Sequence, residues 1–196
     1  MQSQSTFSNF MVVLLGILFA VLTRLLPHPA NFAPMMAMGI FGGALFRQKL
    51  WAFVMPIFTI WLSDLFINNV IYAGYNQGFV WLYEGWYWQY SVYFLVSLAS
   101  GLMFKNKIGV GRIAAVALGS AVLFYLVSNF GAWAGTDMYP KTSEGLGTCY
   151  LMGLPYLKGT LLGNLFYCAV LFGAYYLLEN RTAILKQTAK YSWQWI

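Results

Sequence analysis

The chain has 196 residues, of which 60% are apolar and only 8% are charged, and its mean hydropathy is +0.64. Soluble domains carry about 25% charged residues, so a surface that faces water all round is excluded and the composition predicts an integral membrane protein. The net charge of +6 first indicates orientation in a membrane, and no arginine-rich face for nucleic acid is present in the sequence. The two cysteines, Cys149 and Cys168, are too few for a disulfide scaffold and lack metal-ligand spacing.

Six apolar runs follow one another along the chain, and each is a candidate for crossing a hydrocarbon core of about 30 Å, which takes about 20 helical residues. The runs span 10–26, 31–46, 50–67, 86–104, 110–135 and 156–178. The first has no basic region before it, so it is predicted to be a retained helix rather than a signal peptide. Because the runs are too long and alternate too weakly for barrel strands, the sequence predicts one all-α domain over 1–196, a bundle of six transmembrane helices.

The second run is the weak member, because its strictly apolar part, 33–46, is short enough for a re-entrant segment. A helix that starts near Asn31, with Pro34 in its first turn, would complete a full span. We expect the full span, with the re-entrant segment as the alternative.

Basic residues divide unevenly between the two sides if all six runs cross. One side holds Arg47, Lys49, Lys105, Lys107, Arg112, Arg181, Lys186 and Lys190, and the other holds Arg24, Lys141 and Lys158. Eight cations against three predict that both termini lie in the cytoplasm, as in a bacterial inner-membrane protein. A re-entrant second run would give nine against two, with the N-terminus outside.

Two long segments, 68–85 and 136–155, lie on the outer side in either topology. Connections of this length inside a compact bundle are usually binding loops, lids or disordered links. Both segments are too aromatic and too rich in turn residues for disorder, so the outer face is predicted to be the functional one.

Three runs carry stripes of polar and aromatic residues at helical spacing. The stripes are Trp86, Tyr90, Tyr93 and Ser97 on run four, Tyr125, Asn129 and Trp133 on run five, and Thr160, Asn164 and Cys168 on run six. Asparagine in a lipid-spanning helix is costly unless hydrogen-bonded, so Asn129 and Asn164 are predicted to face inward. The stripes predict a ligand pocket in the outer half of the membrane. The alternatives are hydrogen bonds between helices and an interfacial aromatic belt.

An acidic residue, Asp64, lies near the outer end of run three, where an ionisable group is costly unless paired. Arg24 and Lys158 are its expected partners, and a structural ion pair is preferred over direct ligand contact. The only histidine, His28, lies in the proline-rich stretch RLLPHPANFAP and is expected to be a hydrogen-bonding loop residue. His28 and Asn31 are also candidate ligand contacts in the wall of the site.

Small residues recur at four-residue spacing, which lets helices approach closely. The pairs are Gly16/Ala20, Gly39/Gly43, Ala117/Ala121, Gly131/Gly135 and Gly159/Gly163. Packing inside the bundle is the expectation for each pair, although Gly16 and Ala20 could also face a partner subunit.

Enzymes are disfavoured by the motifs that are missing from the sequence. There is no phosphate-binding G-x-x-x-x-G-K-[ST] loop, no H-E-x-x-H, no G-x-S-x-G and no cysteine–histidine cluster. We therefore expect no catalytic residues, no metal and no cofactor.

Three stretches carry a resemblance to a known family: RLLPHPANFAPMMAMGIFGGALF, WLSDLFINN and NFGAWAGTDMYPKTSEGLGTCYLMGLPYLKGTLLGNLFY. The chain resembles, over about 10–178, an uncharacterised family of bacterial membrane proteins regarded as substrate-binding (S) components of energy-coupling-factor (ECF) transporters. Its specific parts are around 31–34 and 129–163.

The resemblance implies a six-helix S component that binds a vitamin or related micronutrient beneath the outer loops, among the later helices. It also implies a small-residue face on the first helix, here Gly16 and Ala20, that docks on a transmembrane scaffold (T) subunit driven by two cytosolic ATPases. The aromatic composition favours a ring-containing ligand, such as a corrinoid, a thiamin-like compound or a modified base.

Three functions are therefore carried forward. The first is the micronutrient-binding transporter subunit, and the second is a structural or assembly subunit of a larger membrane complex. The third is an intramembrane enzyme that acts on a lipid-linked substrate through Asp64 and Arg24.

Overall fold

The computed structural model describes residues 2–46, 49–105 and 107–181, and within these residues it contains six α-helices and no β-strand. The helices are α1 (Gln2–Thr23), α2 (Met35–Leu45), α3 (Lys49–Phe66), α4 (Trp86–Met103), α5 (Val110–Gly135) and α6 (Ser143–Arg181). A π-helical turn, Ile67–Ile71, extends α3, and a 3₁₀ turn, Ala73–Tyr75, follows it. The all-α prediction with six helices is confirmed. Arg47, Lys186 and Lys190 of the charge count lie outside the described residues.

Three helical segments are long and apolar enough to cross a membrane, namely Leu50–Ile71, Val110–Gly135 and Ser143–Glu179. Their outward faces are apolar as well, which a soluble protein would not tolerate over so large an area. Leu118, Val122 and Leu126 form an exposed stripe on α5, and Leu162, Phe166 and Val170 form another on α6. These helices and their exposed stripes are those of an integral membrane protein.

Helix α2 occupies the centre of the bundle. Residues 36–44 are all buried, and the helix packs against α4, α3, α6 and α1. Its glycines permit the close approach: a Cβ atom on Gly39 would lie 2.8 Å from Ser97 Oγ of α4, and one on Gly42 would lie 2.7 Å from Pro56 Cγ of α3. The predicted packing role of Gly39 and Gly43 agrees with this placement, because a Cβ on Gly43 would overlap the Ser97 carbonyl.

The predicted start of the second helix at Asn31 is wrong. Asn31 takes a left-handed conformation with φ 57°, and the helix begins at Met35. Its 11 residues span only about 16 Å. The remaining distance is covered by residues 24–34, here called the 24–34 turn. Arg24, at the start of this turn, contacts Asp64 near the C-terminal end of α3. Helix α2, which follows the turn, ends just before the first residues of α3. The chain therefore passes from one end of α3 to the other between residues 24 and 49.

Helix α6 begins 13 residues earlier than predicted, at Ser143 rather than 156, so most of the expected outer loop 136–155 is helical. Thr142 Oγ1 accepts the Gly145 N–H at 3.2 Å, which caps the first turn. Pro155 lies inside the helix. The 39 residues extend over about 58 Å, and the added turns pack along the outer end of α5.

The first outer segment is irregular, as predicted, and asparagines hold it in place. The Asn69 side chain makes two hydrogen bonds to the backbone of Val80: Nδ2 donates to the carbonyl at 2.8 Å, and Oδ1 accepts the N–H at 2.7 Å. Asn76 Nδ2 donates to the Asn68 carbonyl at 2.8 Å, and Trp61 Nε1 donates to the Trp81 carbonyl at 3.2 Å. These bonds fix residues 68–81 over the end of α3.

Candidate functional site

A small cavity lies among α2, α4, α5, α6 and the 24–34 turn, with a volume of about 20 Å³. It is lined by Asn31, Ala33, Met35, Met36, Tyr93, Phe124, Thr160 and Asn164. Four of these residues, Asn31, Tyr93, Thr160 and Asn164, are sequence-predicted ligand contacts. The structure thus brings one polar residue of the turn together with side chains of two of the three predicted stripes.

Tyr93 forms the aromatic wall of the cavity. Its ring stacks on Phe124 with a centroid separation of 5.9 Å and an interplanar angle of 10°. Its hydroxyl donates to Met35 Sδ at 3.3 Å. Ser97, one turn further along α4, is buried too, so the predicted stripe on α4 does face the interior.

The opposite wall is polar and belongs to α6. Asn164 is buried and donates from Nδ2 to the Ala117 carbonyl at 3.1 Å and to Ser120 Oγ at 3.2 Å, which ties α6 to α5. Thr160 Oγ1 donates to the Tyr156 carbonyl at 3.0 Å, within its own helix. Asn164 therefore bonds between helices and also lines the cavity, so the two alternatives weighed from the sequence apply together.

The 24–34 turn closes the cavity from the outer side. The Phe32 N–H donates to the Pro29 carbonyl at 3.0 Å, and the Phe32 ring lies 5.6 Å from that of Tyr167 on α6. A Cβ on Gly163 of α6 would lie 3.1 Å from the Ala33 nitrogen, so the backbone of the turn lies directly on this helix. His28 is exposed, its Nδ1 lies 2.9 Å from the Pro29 carbonyl, and it does not line the cavity.

Next to the cavity lies a buried ion pair. Arg24 Nη2 lies 2.6 Å from Asp64 Oδ1, and Arg24 Nη1 donates to Ser63 Oγ at 2.5 Å. The Tyr90 hydroxyl donates to the other carboxylate oxygen of Asp64 at 2.5 Å. The predicted pairing of Asp64 with Arg24 is present, whereas Lys158 is exposed on α6 and takes no part in the pair.

Tyr83, from the end of the first outer segment, lies over this ion pair. Burial, reinforced by the Asp64 carboxylate, raises the pKa of Tyr83 above its ordinary value. The phenol therefore keeps its proton and donates to Gln89 Oε1 at 2.9 Å. Its ring lies 6.5 Å from that of Tyr90, and Trp86 packs on Tyr90 from the other side at 5.6 Å.

Positions along helix α4 show how far the ion pair and the cavity lie from the end of the bundle. It runs for about 27 Å from the aromatic residues at Trp86 to a basic end at Lys105. Aromatic and basic residues are typical of the two membrane interfaces. At about 1.5 Å per residue, Tyr90 lies about 6 Å and Tyr93 about 10 Å from Trp86 along the axis. The ion pair and the cavity therefore lie in the half of the bundle at the aromatic end of α4.

The third predicted stripe, Tyr125, Asn129 and Trp133 on α5, does not line the cavity. The Tyr125 hydroxyl donates to the Tyr150 carbonyl at 2.6 Å, and Trp133 Nε1 donates to the Pro140 carbonyl at 2.9 Å. Asn129 Nδ2 donates to the Tyr125 carbonyl at 2.8 Å, and its side chain faces Gly153. Tyr125 and Asn129 face the first turns of α6, and Trp133 faces the connection before that helix, so their predicted role as ligand contacts stays a prediction.

Gly16 and Ala20 pack inside the bundle, which is the first of the two roles expected for this pair. A Cβ on Gly16 would lie 3.2 Å from the Phe41 ring of α2 and 3.6 Å from Leu171 of α6, and Ala20 is 1% exposed. The pair faces the inside of the bundle, so it does not form an exposed docking face in this structure. Likewise Gly131 packs on Trp88 of α4, and Gly159 on the Ala30 carbonyl.

Sequence reasoning missed Met35, Met36, Ala33 and Phe124 in the cavity wall and Ser63 beside the ion pair. The inward position of Phe124 could have been predicted from helical spacing, because it shares one face of α5 with Ala117, Ser120 and Gly131, which are all buried. The methionines carried no such signal, since a run of apolar residues does not indicate which of them borders a void.

The chemical groups that line the cavity are hydrogen-bonding, thioether and aromatic. Within the described residues no group of three or more histidine, cysteine, aspartate and glutamate side chains could hold a metal ion. The cavity offers two amides, two hydroxyls, two thioethers and two aromatic rings, and the formal charges of the nearby Arg24 and Asp64 are paired with each other. Such a lining suits an uncharged group that combines a ring with hydrogen-bonding atoms.

Together, the long apolar helices and their exposed apolar faces define a helical membrane protein, and a small, mostly apolar cavity with a few polar groups lies among its helices. The chain belongs to DUF6580, a family of unknown function, whose profile matches residues 4–188. The sequence-based expectation of an uncharacterised membrane family agrees with this membership. Comparisons with curated proteins and with solved structures give no significant match.

Proposed function

We propose that the protein is the substrate-binding subunit of an ECF-type importer, which captures a vitamin or related micronutrient at the outer face of the membrane. The observation that carries the proposal is the cavity in the outer half of the bundle, bordered by Asn31, Tyr93, Thr160 and Asn164. The resemblance of the chain to an uncharacterised family regarded as S components suggests transport as the use of this site. The fold would then be that of an S component in a bacterial inner membrane, with both termini in the cytoplasm.

Ligand entry requires the site to enlarge. Ligand pockets usually measure about 300–1,000 Å³, whereas this cavity of about 20 Å³ has room for one water molecule. The 24–34 turn is the wall best suited to move, because it is the part of the wall without regular structure and its residues 26–31 are exposed. The Arg24–Asp64 pair would hold the closed arrangement, and outward movement of the turn would open a path from the outer surface.

Energy would come from other subunits, since the chain has no phosphate-binding loop. The partners under this proposal are a transmembrane T subunit and two cytosolic ATPases. Because Gly16 and Ala20 pack internally, the T subunit would use another surface of α1, where Leu15, Phe19 and Leu22 are exposed. The protein itself would be no enzyme and would need no cofactor.

A structural or assembly subunit is the second candidate, and one observation favours it. Tyr75, Phe79 and Trp81 of the first outer segment are 88%, 61% and 64% exposed, which is the composition of a protein-binding surface as well as of a membrane interface. An enzyme acting through Asp64 and Arg24 has less support, because both side chains already bond to each other and to Tyr90 and Ser63.

Native mass spectrometry of the gently purified full chain separates the two candidates. The transporter subunit should retain a non-lipid small molecule and co-purify with a membrane scaffold and ATPase subunits. Retention of lipid alone, together with stable capture of non-transport proteins, would reject the transport proposal in favour of the structural subunit.

A further inference from the structure

A second and larger void lies at the other end of the bundle. It is a wedge of about 320 Å³ between the first turns of α5 and the facing part of α6. On α5 it is lined by Val110, Ile113 and Ala114, and on α6 by Cys168, Ala169 and Gly173. Towards the outer side it ends near the level at which Asn164 of α6 bonds to Ala117 of α5. The two helices are therefore tied together at mid-height and are separated by the wedge towards the basic end.

The wedge is apolar and open to the surroundings. Val110 is 54% exposed and Ala169 is exposed, whereas Cys168 forms a buried floor. No Cβ contact lies within 4 Å of Gly173, so open space adjoins it. An apolar void left empty forfeits dispersion contacts along its whole lining. On a membrane-spanning helix pair the surrounding medium is lipid, so a hydrocarbon chain is the natural occupant.

The size of the wedge suits a lipid chain. Its volume lies at the lower end of the range of about 300–1,000 Å³ that small-molecule pockets occupy. A single flexible chain can enter it.

Positive charge surrounds the same end of α5. Lys105 and Lys107 precede Val110 within about a turn, and Arg112 follows it. Arg112 Nη1 donates to the carbonyls of Met103 at 3.1 Å and Lys107 at 3.3 Å, which holds this guanidinium on the α4 side of α5, away from the wedge. Lys105 and Lys107 are therefore the basic residues available to attract the phosphate of an anionic lipid at this end of the wedge.

We propose that the wedge between α5 and α6 is a binding site for an anionic phospholipid of the leaflet at the Lys105–Arg112 end. One acyl chain lies against Ala114, Ala169 and Gly173, and the headgroup phosphate lies at Lys105 and Lys107. This site is separate from the outer cavity and does not depend on the transport proposal.

Two glycine variants test the site. Gly173→Leu fills the wedge, whereas Gly119→Leu fills a different groove of about 200 Å³ between α4 and α5. Both glycines are in helices with no Cβ contact within 4 Å, so the two substitutions have matched backbone effects. The delipidated full-length proteins are incubated with phosphatidylglycerol or phosphatidylcholine, and native mass spectrometry counts the lipids retained.

Wild type and Gly119→Leu should retain one phosphatidylglycerol in preference to phosphatidylcholine. Gly173→Leu should weaken that retention by about tenfold, the effect of excluding two methylene groups from an apolar site. Equal retention by both variants would overturn the site, and equal retention of both lipids would overturn its anionic selectivity. If Gly173→Leu does not elute as a folded species, Ala169→Leu on the same wall replaces it, with the same two outcomes.

Discussion

Arg24 and Asp64 are joined at 2.6 Å, and this pair connects the 24–34 turn to α3 immediately beside the outer cavity. Tyr90 completes the link, because its hydroxyl donates to Asp64 while its ring lies 5.7 Å from that of cavity-lining Tyr93. Both charged side chains are largely buried, at 16% and 8% exposed. The position of the turn, and with it the closure of the cavity, therefore depends on a charge pair inside the bundle.

Removal of one partner of this pair should be strongly destabilising. Asp64→Asn leaves the Arg24 charge buried without its counter-ion, and the expected loss is about 3–5 kcal/mol. Arg24→Gln should cost a similar amount, and the double variant should cost clearly less than the sum of the two. Unfolding in detergent, followed by circular dichroism, measures all three. Strict additivity would show that the two residues act independently and would contradict the pairing.

Because the 24–34 turn packs closely on α6, a single methyl group added at Gly163 should destabilise the folded protein. A Cβ on Gly163 would lie 3.1–3.3 Å from backbone atoms of Phe32 and Ala33, which cannot move as a side chain can. Gly163→Ala should therefore lower the unfolding temperature. Gly147→Ala is the control in the same helix, because open space surrounds Gly147 and alanine favours a helix by about 1 kcal/mol over glycine. An equal rise in the unfolding temperature of both variants would mean that the turn does not pack on α6.

Topology can be measured at His28, which is exposed at the tip of the turn. The native cysteines, Cys149 and Cys168, are 2% and 1% exposed, so the wild-type protein should react slowly with a membrane-impermeant maleimide. His28→Cys should be labelled rapidly in intact cells if the turn faces the outside. Labelling only after the cells are opened would place the turn in the cytoplasm and reverse the orientation predicted from the basic residues.

Part of this fold could be predicted from the sequence because its cause is local. Helices α4 and α5 match their predicted bounds within a residue, since each apolar run is closed by charged or turn residues at both ends. The start of α2 could not be read in the same way. Asn31 is compatible with a helix start, but it takes a left-handed conformation where the turn contacts Gly159 of α6.

The early start of α6 was missed for a related reason. Glycines, threonines and Pro155 in 142–155 are typical of a loop, whereas this segment is helical and packs against α5. A cap at Thr142 with Glu144 in the first turn was the local sign of a helix start. The Tyr125 hydroxyl bonds to Tyr150 in these added turns, and Trp133 bonds to Pro140 just before them. The cavity is lined from the neighbouring face of α5, by Phe124.

The central claim, that the outer cavity is a small-molecule site, is tested most directly by comparing ligand retention in two asparagine variants. Asn31→Gly removes an amide from the cavity while glycine still accepts φ 57°. Asn129→Ala removes an amide that faces Gly153 instead. In native mass spectra of gently purified protein, the small molecule retained by the wild type should persist in Asn129→Ala and be lost or strongly reduced in Asn31→Gly. Loss in Asn129→Ala with full retention in Asn31→Gly, or no retained small molecule in the wild type, would contradict the account.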